Sequence, residues 1–193
     1  MPRKFFEKPE PSQSDRVPPG QYLAKGFPVL SYGETPQVSQ DQWLLKVWGL
    51  VEDKSFDWSD LMNLPQQEFT ADFHCVTRWS KLDVTWTGVK ITDLLNTLEI
   101  DPKATHVLQH CYGGYTTNLS LEDFARPENF LAHTLNGEPL PADHGGLLRS
   151  VVPSPRPVLI EVQGTYSFPR SFLPSLTTRP CRSRWRVRRN RRR

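Results

Sequence analysis

The chain is poor in cysteine, and its few cysteines follow no metal-binding or disulfide pattern. Its 193 residues contain three, Cys75, Cys111 and Cys181, with no CxxC pair and no Cys/His spacing of a zinc site. An odd number also argues against a disulfide framework. Two interpretations remain: one thiolate with a chemical function, or three small buried hydrophobic side chains.

Long apolar runs are also missing. No segment approaches the ~20 consecutive apolar residues that a membrane span needs. Residues 1–20 contain neither the apolar core of a secretory signal nor a twin-arginine pair. We therefore expect a cytoplasmic protein. A length of 193 residues suits one domain with a hydrophobic core better than two domains.

Positive charge is scarce outside the C-terminus. The formal net charge is +3, but nine of the 24 basic residues lie in residues 179–193, which contain no acidic residue. Residues 1–178 hold the other 15 basic residues against 21 acidic ones, a formal charge of −6. A mildly acidic body therefore carries a strongly basic tail. Any nonspecific binding of nucleic acid or anionic lipid would depend on that tail alone.

Composition divides the chain into three parts. Residues 1–20 are rich in proline, serine and charge and predict a flexible arm, whereas residues 21–153 have the periodic apolar pattern of a folded domain. Residues 154–193 are rich in proline, serine and arginine, and we predict that they are disordered. The abrupt change after Pro153 is what a change of reading frame would produce. An uninterrupted reading frame, with relatives that share this tail, would reject that hypothesis.

The folded part predicts short strands and helices in irregular order. Asn136-Gly137 is the dipeptide of a tight hairpin turn. Asp57 and Ser120 each precede an aspartate by three residues, which predicts the starts of two short helices. These patterns favour an α+β fold with a mixed sheet and short helices. Strand patterns lie at residues 43–51, 69–75, 105–111, 116–119 and 147–152.

The stretch 68–88 carries the most informative pattern. One face of its predicted strand is apolar and consists of Phe69, Ala71, Phe73 and Cys75. A polar, aromatic-rich loop follows directly, so the sulfur of Cys75 can point out of the sheet into a polar pocket, where a metal-ligating thiolate would lie. Taken alone, the residue type favours the other interpretation, a buried structural cysteine.

Four blocks of the sequence form an ordered set. The central block is Phe73-His74-Cys75-Val76-Thr77-Arg78-Trp79-Ser80, followed by Trp86-Thr87-Gly88-Val89. The others are Lys25 to Val29 leading to the strand at Trp43 to Gly49, His110 to Leu119, and Asn136 to Leu140 with Asp143-His144-Gly145-Gly146. Together they resemble the molybdopterin-binding domain of the sulfite oxidase family, and most of all its small bacterial oxidoreductases. The resemblance covers roughly residues 5–153.

The resemblance implies a mononuclear molybdenum held by the dithiolene sulfurs of one molybdopterin, with Cys75 as a ligand from the protein. It implies an oxidoreductase that transfers an oxygen atom or two electrons to or from a small-molecule substrate and exchanges electrons with a separate carrier. His144 and Arg149 match a His-Gly-x-x-x-Arg block that contacts the pterin and its phosphate. On its own pattern, Arg149 could equally be a surface charge on an edge strand.

Three more residues, Lys25, Gly26 and Phe27, match an N-terminal segment that lies across the cofactor in the family. The chain also departs from the family in two places. Arg78 is the single arginine of the loop after Cys75, which argues against sulfite as the substrate. From Ser154 onward there is no match to the Lys-Trp segment that closes over the pterin phosphate. The alternative is therefore an inactive remnant of the family or a nonenzymatic, basic-tailed binding protein.

Overall fold

The computed structural model of the chain describes residues 6–7, 15–30, 33–75, 77–153 and 164–168, with side chains for all but 6–7 and 164–168. In chain order the strands are β1 Phe6–Glu7, β2 Tyr22–Ala24, β3 Leu45–Gly49, β4 Lys54–Phe56, β5 Gln66–His74, β6 Trp79–Lys90, β7 His106–Cys111, β8 Thr116–Ser120, β9 Phe130–Leu135, β10 Glu138–Pro139, β11 Arg149–Val151 and β12 Gly164–Phe168. The helices are α1 Trp58–Met62, α2 Ile91–Leu95, α3 Leu121–Phe124 and a short 3-10 helix, Ala142–His144. Among the described residues, no helix has the length and apolar character needed to cross a membrane.

Within the described residues, the strands form one seven-stranded and one five-stranded sheet. The long strand β6 organises the first sheet: β5 pairs along one side of it, and β2 and β9 pair with its two ends on the other. The second sheet has the order β4-β3-β12-β7-β8. Each sheet contains one parallel pair, β2 with β6 and β12 with β3, so the predicted α+β fold with mixed pairing and short helices is confirmed.

Buried apolar residues form two clusters, and the first sheet contributes to both. On β9, Leu131 belongs to one cluster and its neighbour Ala132 to the other, because successive side chains of a strand point to opposite faces. The larger cluster, here called the inner core, includes Leu45 and Val47 of β3 and Val107 of β7. The smaller one, here called the aromatic cluster, consists of Ala24, Phe73, Cys75, Trp79, Val84, Trp86, Ala132, Leu140 and Val151, with Phe27, Phe69 and Leu135 packed against it.

Local sequence signals form as predicted. The Asp57 side chain accepts a hydrogen bond from the N–H of Asp60, and the Asp60 side chain accepts one from the N–H of Asp57, which completes a capping box at α1. The Ser120 hydroxyl caps α3 by accepting a hydrogen bond from the N–H of Asp123, and it donates one to Asp123 Oδ2. Asn136 and Gly137 have φ of 52° and 84°, and this left-handed backbone at both central residues gives the tight turn between β9 and β10.

Two strands lie where the composition predicted no element. Phe6–Glu7 falls in the predicted N-terminal arm and pairs with β2. Gly164–Phe168 falls in the predicted disordered tail, and it pairs on both sides, with β3 and with β7. Backbone pairing with neighbouring strands outweighs local composition at these places. The other residues of 154–193 lie outside the described residues.

Candidate functional site

Cys75 lies in the tight turn that joins β5 to β6. Its N–H donates to the carbonyl of Trp79 at 2.8 Å, and the N–H of Arg78 donates to the Cys75 carbonyl at 3.0 Å. Arg78 has a left-handed backbone, with φ of 74°. The Cys75 Sγ lies 3.1 Å from the Thr77 hydroxyl, and the residue is 5% exposed. The predicted position of this cysteine at the end of a strand is confirmed, and the loop after it is short.

Aromatic rings from three segments surround this turn. The rings of Phe73 and Trp79 stack with their centroids 4.9 Å apart, and Trp86 lies 6.3 Å from Phe73. Phe27 meets these rings edge-on, at 4.7 Å from Phe73, 5.3 Å from Trp79 and 6.1 Å from Trp86. Edge-to-face pairs add stabilisation beyond the area that they bury. Cys75 belongs to this cluster, so its surroundings are mainly apolar, and the polar pocket expected around its sulfur is not formed by the described residues.

Arg149 brings a positive charge into the same cluster. The residue is 5% exposed, so the alternative of a surface charge on an edge strand is wrong. Its Cζ lies 5.5 Å from the centroid of Phe73, 5.9 Å from that of Phe27 and 6.0 Å from that of Trp86. Its Nη1 donates to the carbonyl of His144 at 2.8 Å. The ring faces and this carbonyl help to hold the buried guanidinium in place, and a guanidinium can bind an anionic group.

His144 ends the 3-10 helix beside this arginine. Its ring centroid is 5.0 Å from that of Phe27. Burial, and after it the nearby guanidinium of Arg149, lower the pKa of His144 below its ordinary value of 6.5, although Asp143 opposes the shift. The imidazole is therefore neutral at neutral pH and can both donate and accept a hydrogen bond.

Phe27 lies at the end of an N-terminal segment that packs against the aromatic cluster. Residues 15–27, here called the strap, include β2, which pairs in parallel with the start of β6. Lys25 and Gly26 are exposed, and the Lys25 carbonyl accepts a hydrogen bond from Lys81 Nζ at 3.1 Å. Six residues were singled out in the sequence, and the structure brings four of them together: Phe27, Cys75, His144 and Arg149. It puts Lys25 and Gly26 on the outer side of the strap.

Sequence reasoning missed one further feature of the site. The indole Nε1 of Trp79 is buried and has no hydrogen-bond partner among the described residues. Trp79 lies within the block that contains Cys75, and this proximity was the one signal that could have identified it. The described part of the chain also contains no group of three or more His, Cys, Asp or Glu residues placed to hold a metal ion.

Comparison with known proteins places this geometry in context. The family profile described as "oxidoreductase molybdopterin binding domain" matches residues 32–155. The uncharacterized oxidoreductase YuiH of Bacillus subtilis is 41% identical over 152 residues, which are 77% of this chain and 77% of that protein.

Two other matches involve longer proteins. The protein-methionine-sulfoxide reductase catalytic subunit MsrP of Gluconobacter oxydans is 31% identical over 130 residues, or 58% of this chain and 41% of that protein. The structure resembles that of the sulfane dehydrogenase SoxCD of Paracoccus pantotrophus with a TM-score of 0.61, covering 71% of this chain and 40% of the other. The sequence identity of that pair is 20%, so the match describes the fold alone.

Proposed function

The chain belongs to the oxidoreductase molybdopterin-binding domains of the sulfite oxidase family, and from this premise we propose that it transfers an oxygen atom or two electrons with Cys75 as its molybdenum ligand. One observation carries the proposal. Cys75, a soft metal ligand, belongs to the aromatic cluster, and the buried guanidinium of Arg149, a cation suited to a phosphate, lies against a ring of the same cluster. A core that only packs has no need to bury the charge of Arg149.

The residues present fit the molybdopterin cofactor of the family. Trp79 Nε1 is a buried donor with no hydrogen-bond partner among the described residues, which is costly unless another group accepts from it. A pterin ring and its phosphate carry many acceptors. The buried guanidinium of Arg149 and the neutral ring of His144 add donors beside the same rings.

In this proposal Cys75 acts as a thiolate ligand. When bound, the cofactor supplies a molybdenum centre that changes its oxidation state by two electrons as an oxygen atom is transferred. The chain supplies a soft sulfur donor at a fixed position, because two backbone hydrogen bonds hold the turn that carries it. The aromatic rings around the thiolate exclude water and so influence the reduction potential.

Arg149 and His144 have binding roles. A guanidinium presents parallel N–H groups that match a phosphate, and the rings of Phe27 and Phe73 fix its plane. His144, neutral at neutral pH, would hydrogen-bond the pterin. Phe27 would cover the cofactor, with Lys25 and Gly26 adjoining it at the surface.

The substrate is proposed to be a small molecule that approaches the exposed loop at Arg78, and a separate protein is proposed as the electron carrier. The presence of a single arginine in that loop argues against sulfite. A location in the cytoplasm and nonspecific nucleic-acid binding by the arginine-rich tail stay predictions from the sequence.

Cofactor analysis tests the proposal. We expect the full chain, purified from cells that make the cofactor, to contain molybdenum and pterin in similar amounts. Cys75→Ser should lose most of the molybdenum, whereas the matched variant Cys111→Ser should keep it. A wild type without either component would reject the proposal. Salt-sensitive binding to a polyanion, abolished by deletion of residues 179–193, would then identify the basic-tailed alternative.

A further inference from the structure

The strap has its own attachment to the body of the domain. It precedes residues 32–155, which match the family profile. Val17 and Ala24 are its buried side chains, and Phe27 is half-buried. Through Phe27 the strap packs on the rings of the cluster that contains Cys75 and on the guanidinium of Arg149. Cys75 and Arg149 are each 5% exposed. A molecule as large as a pterin cofactor can reach the guanidinium from the side of Phe27 only if the strap moves.

The outer end of the strap is held by one arginine bound to two aspartates. Arg16 Nε donates to Asp72 Oδ2 at 2.9 Å and its Nη2 to Asp72 Oδ1 at 2.5 Å. The same Nη2 donates to Asp83 Oδ1 at 2.6 Å, and Nη1 approaches Asp83 Oδ2 at 3.4 Å. One guanidinium thus joins residues that are 56 and 67 positions away in the sequence.

The backbone around both aspartates is irregular. The register of β5 against β6 shifts between Ala71 and Phe73, which places Asp72 in a bulge. On the facing strand Asp83 has a left-handed backbone, with φ of 55°, and its N–H donates to Asp72 Oδ1 at 3.1 Å. Bulges of this kind redirect side chains and are common beside functional sites. Here the two irregularities bring both carboxylates to the same guanidinium.

Further contacts attach the middle of the strap to the hairpin that carries Cys75. The hydroxyl of Ser80 donates to Gln21 Oε1 at 2.5 Å and lies 2.9 Å from His74 Nδ1. Lys81 Nζ donates to the carbonyl of Lys25. Ser80 itself is buried, so its contact with Gln21 is partly shielded from solvent. The Arg16 cluster is instead at the surface, where the side chains of Arg16 and Asp83 are 44% and 68% exposed.

We propose that Arg16, Asp72 and Asp83 form a latch that holds the strap over Cys75 and so controls access to the cofactor site. They act as positioning residues, because the latch touches the strap and the hairpin and not the aromatic cluster itself. Since a solvent-exposed ion pair is weak and screened by salt, the latch opens readily without unfolding of the domain. The cofactor role of the covered site rests on the proposed function, whereas the latch itself does not.

The reactivity of Cys75 toward iodoacetamide tests the latch in protein made without the cofactor. In a full chain carrying Cys111→Ser and Cys181→Ser, we expect Arg16→Gln to raise the alkylation rate of Cys75 several-fold. Asp83→Asn should do the same, and asparagine tolerates the left-handed backbone as well as aspartate does. High salt should speed alkylation of the protein with an intact latch toward the rate of the Arg16 variant.

The matched control is Arg126→Gln. Arg126 is 43% exposed and pairs with Asp123 at 2.6 Å, far along the chain from the strap. The Arg126→Gln variant should leave the alkylation rate of Cys75 unchanged. Amide hydrogen exchange of residues 17–27 should rise in the two latch variants and stay constant in the control. Equal alkylation and equal strap exchange in Arg16→Gln and Arg126→Gln would overturn the proposal, whatever the molybdenum content of the wild type.

Discussion

Gly88 sets how closely two strands of the first sheet approach. The register of β6 against β9 shifts at this residue, which lies opposite Ala132. A Cβ added at Gly88 would lie 2.0 Å from the carbonyl oxygen of Leu131 and 2.7 Å from the Cα of Ala132. Both are backbone atoms of β9. No flexible side chain can move aside, so an alanine would require the whole strand to shift.

The loss of stability that Gly88→Ala should cause follows from that geometry. Overpacking a core with an extra methyl group costs about 1–3 kcal/mol when side chains can adjust. Because backbone must move here, we expect Gly88→Ala to lower the free energy of unfolding by about 3 kcal/mol. In a domain of this size that lowers the Tm by roughly 6–12 °C. The shift also reaches the site, since Ala132 is in register with Arg149 on β11.

Urea unfolding followed by tryptophan fluorescence measures the effect. The matched control is Gly26→Ala, because a Cβ at Gly26 meets nothing within 4 Å and its backbone is not left-handed. We expect the control to change the unfolding free energy by less than about 0.5 kcal/mol. The reasoning would be refuted if Gly88→Ala unfolded at the same urea concentration as Gly26→Ala with an unchanged slope.

Two further predictions concern stability. Asp57→Ala removes one side of the capping box of α1 and should lower the unfolding free energy by about 1 kcal/mol in urea titration. The control is Glu52→Ala at an exposed position, and an equal loss of stability in the two variants would contradict the role of the cap. Stability should also fall on acidification. Because burial lowers the pKa of several histidines in the folded state from 6.5, the unfolded chain binds protons at a higher pH than the folded chain does. The Tm should therefore decline as the pH falls through about 6.5. A Tm that stayed constant or rose from pH 8 to pH 5 would contradict this assignment. The histidines concerned are His74, His110, His133 and His144.

The features that the sequence predicted correctly are those that depend on neighbouring residues. The turn at Asn136-Gly137 and the cap at Asp57 need only local backbone chemistry. The strand before Cys75 shows its alternating pattern within seven residues. Its residues Phe69, Phe73 and Cys75 do share one cluster.

The features that it missed depend on contacts between distant segments. Arg149 is buried because aromatic rings from other strands receive its guanidinium, and no spacing along the chain reveals them. Asp72 and Asp83 both bind Arg16, from which they are 56 and 67 positions away, and no local pattern reveals such a contact. Strand β12 arises from pairing with β3 and β7, which overrides a composition typical of a disordered tail.

X-ray absorption at the molybdenum edge tests the central claim most directly, because it counts the sulfur atoms bound to the metal. The wild type and Cys111→Ser should give the same count. Cys75→Ser should show one sulfur ligand fewer in the molybdenum that it retains. An unchanged sulfur count in Cys75→Ser would contradict the assignment of Cys75 as the ligand.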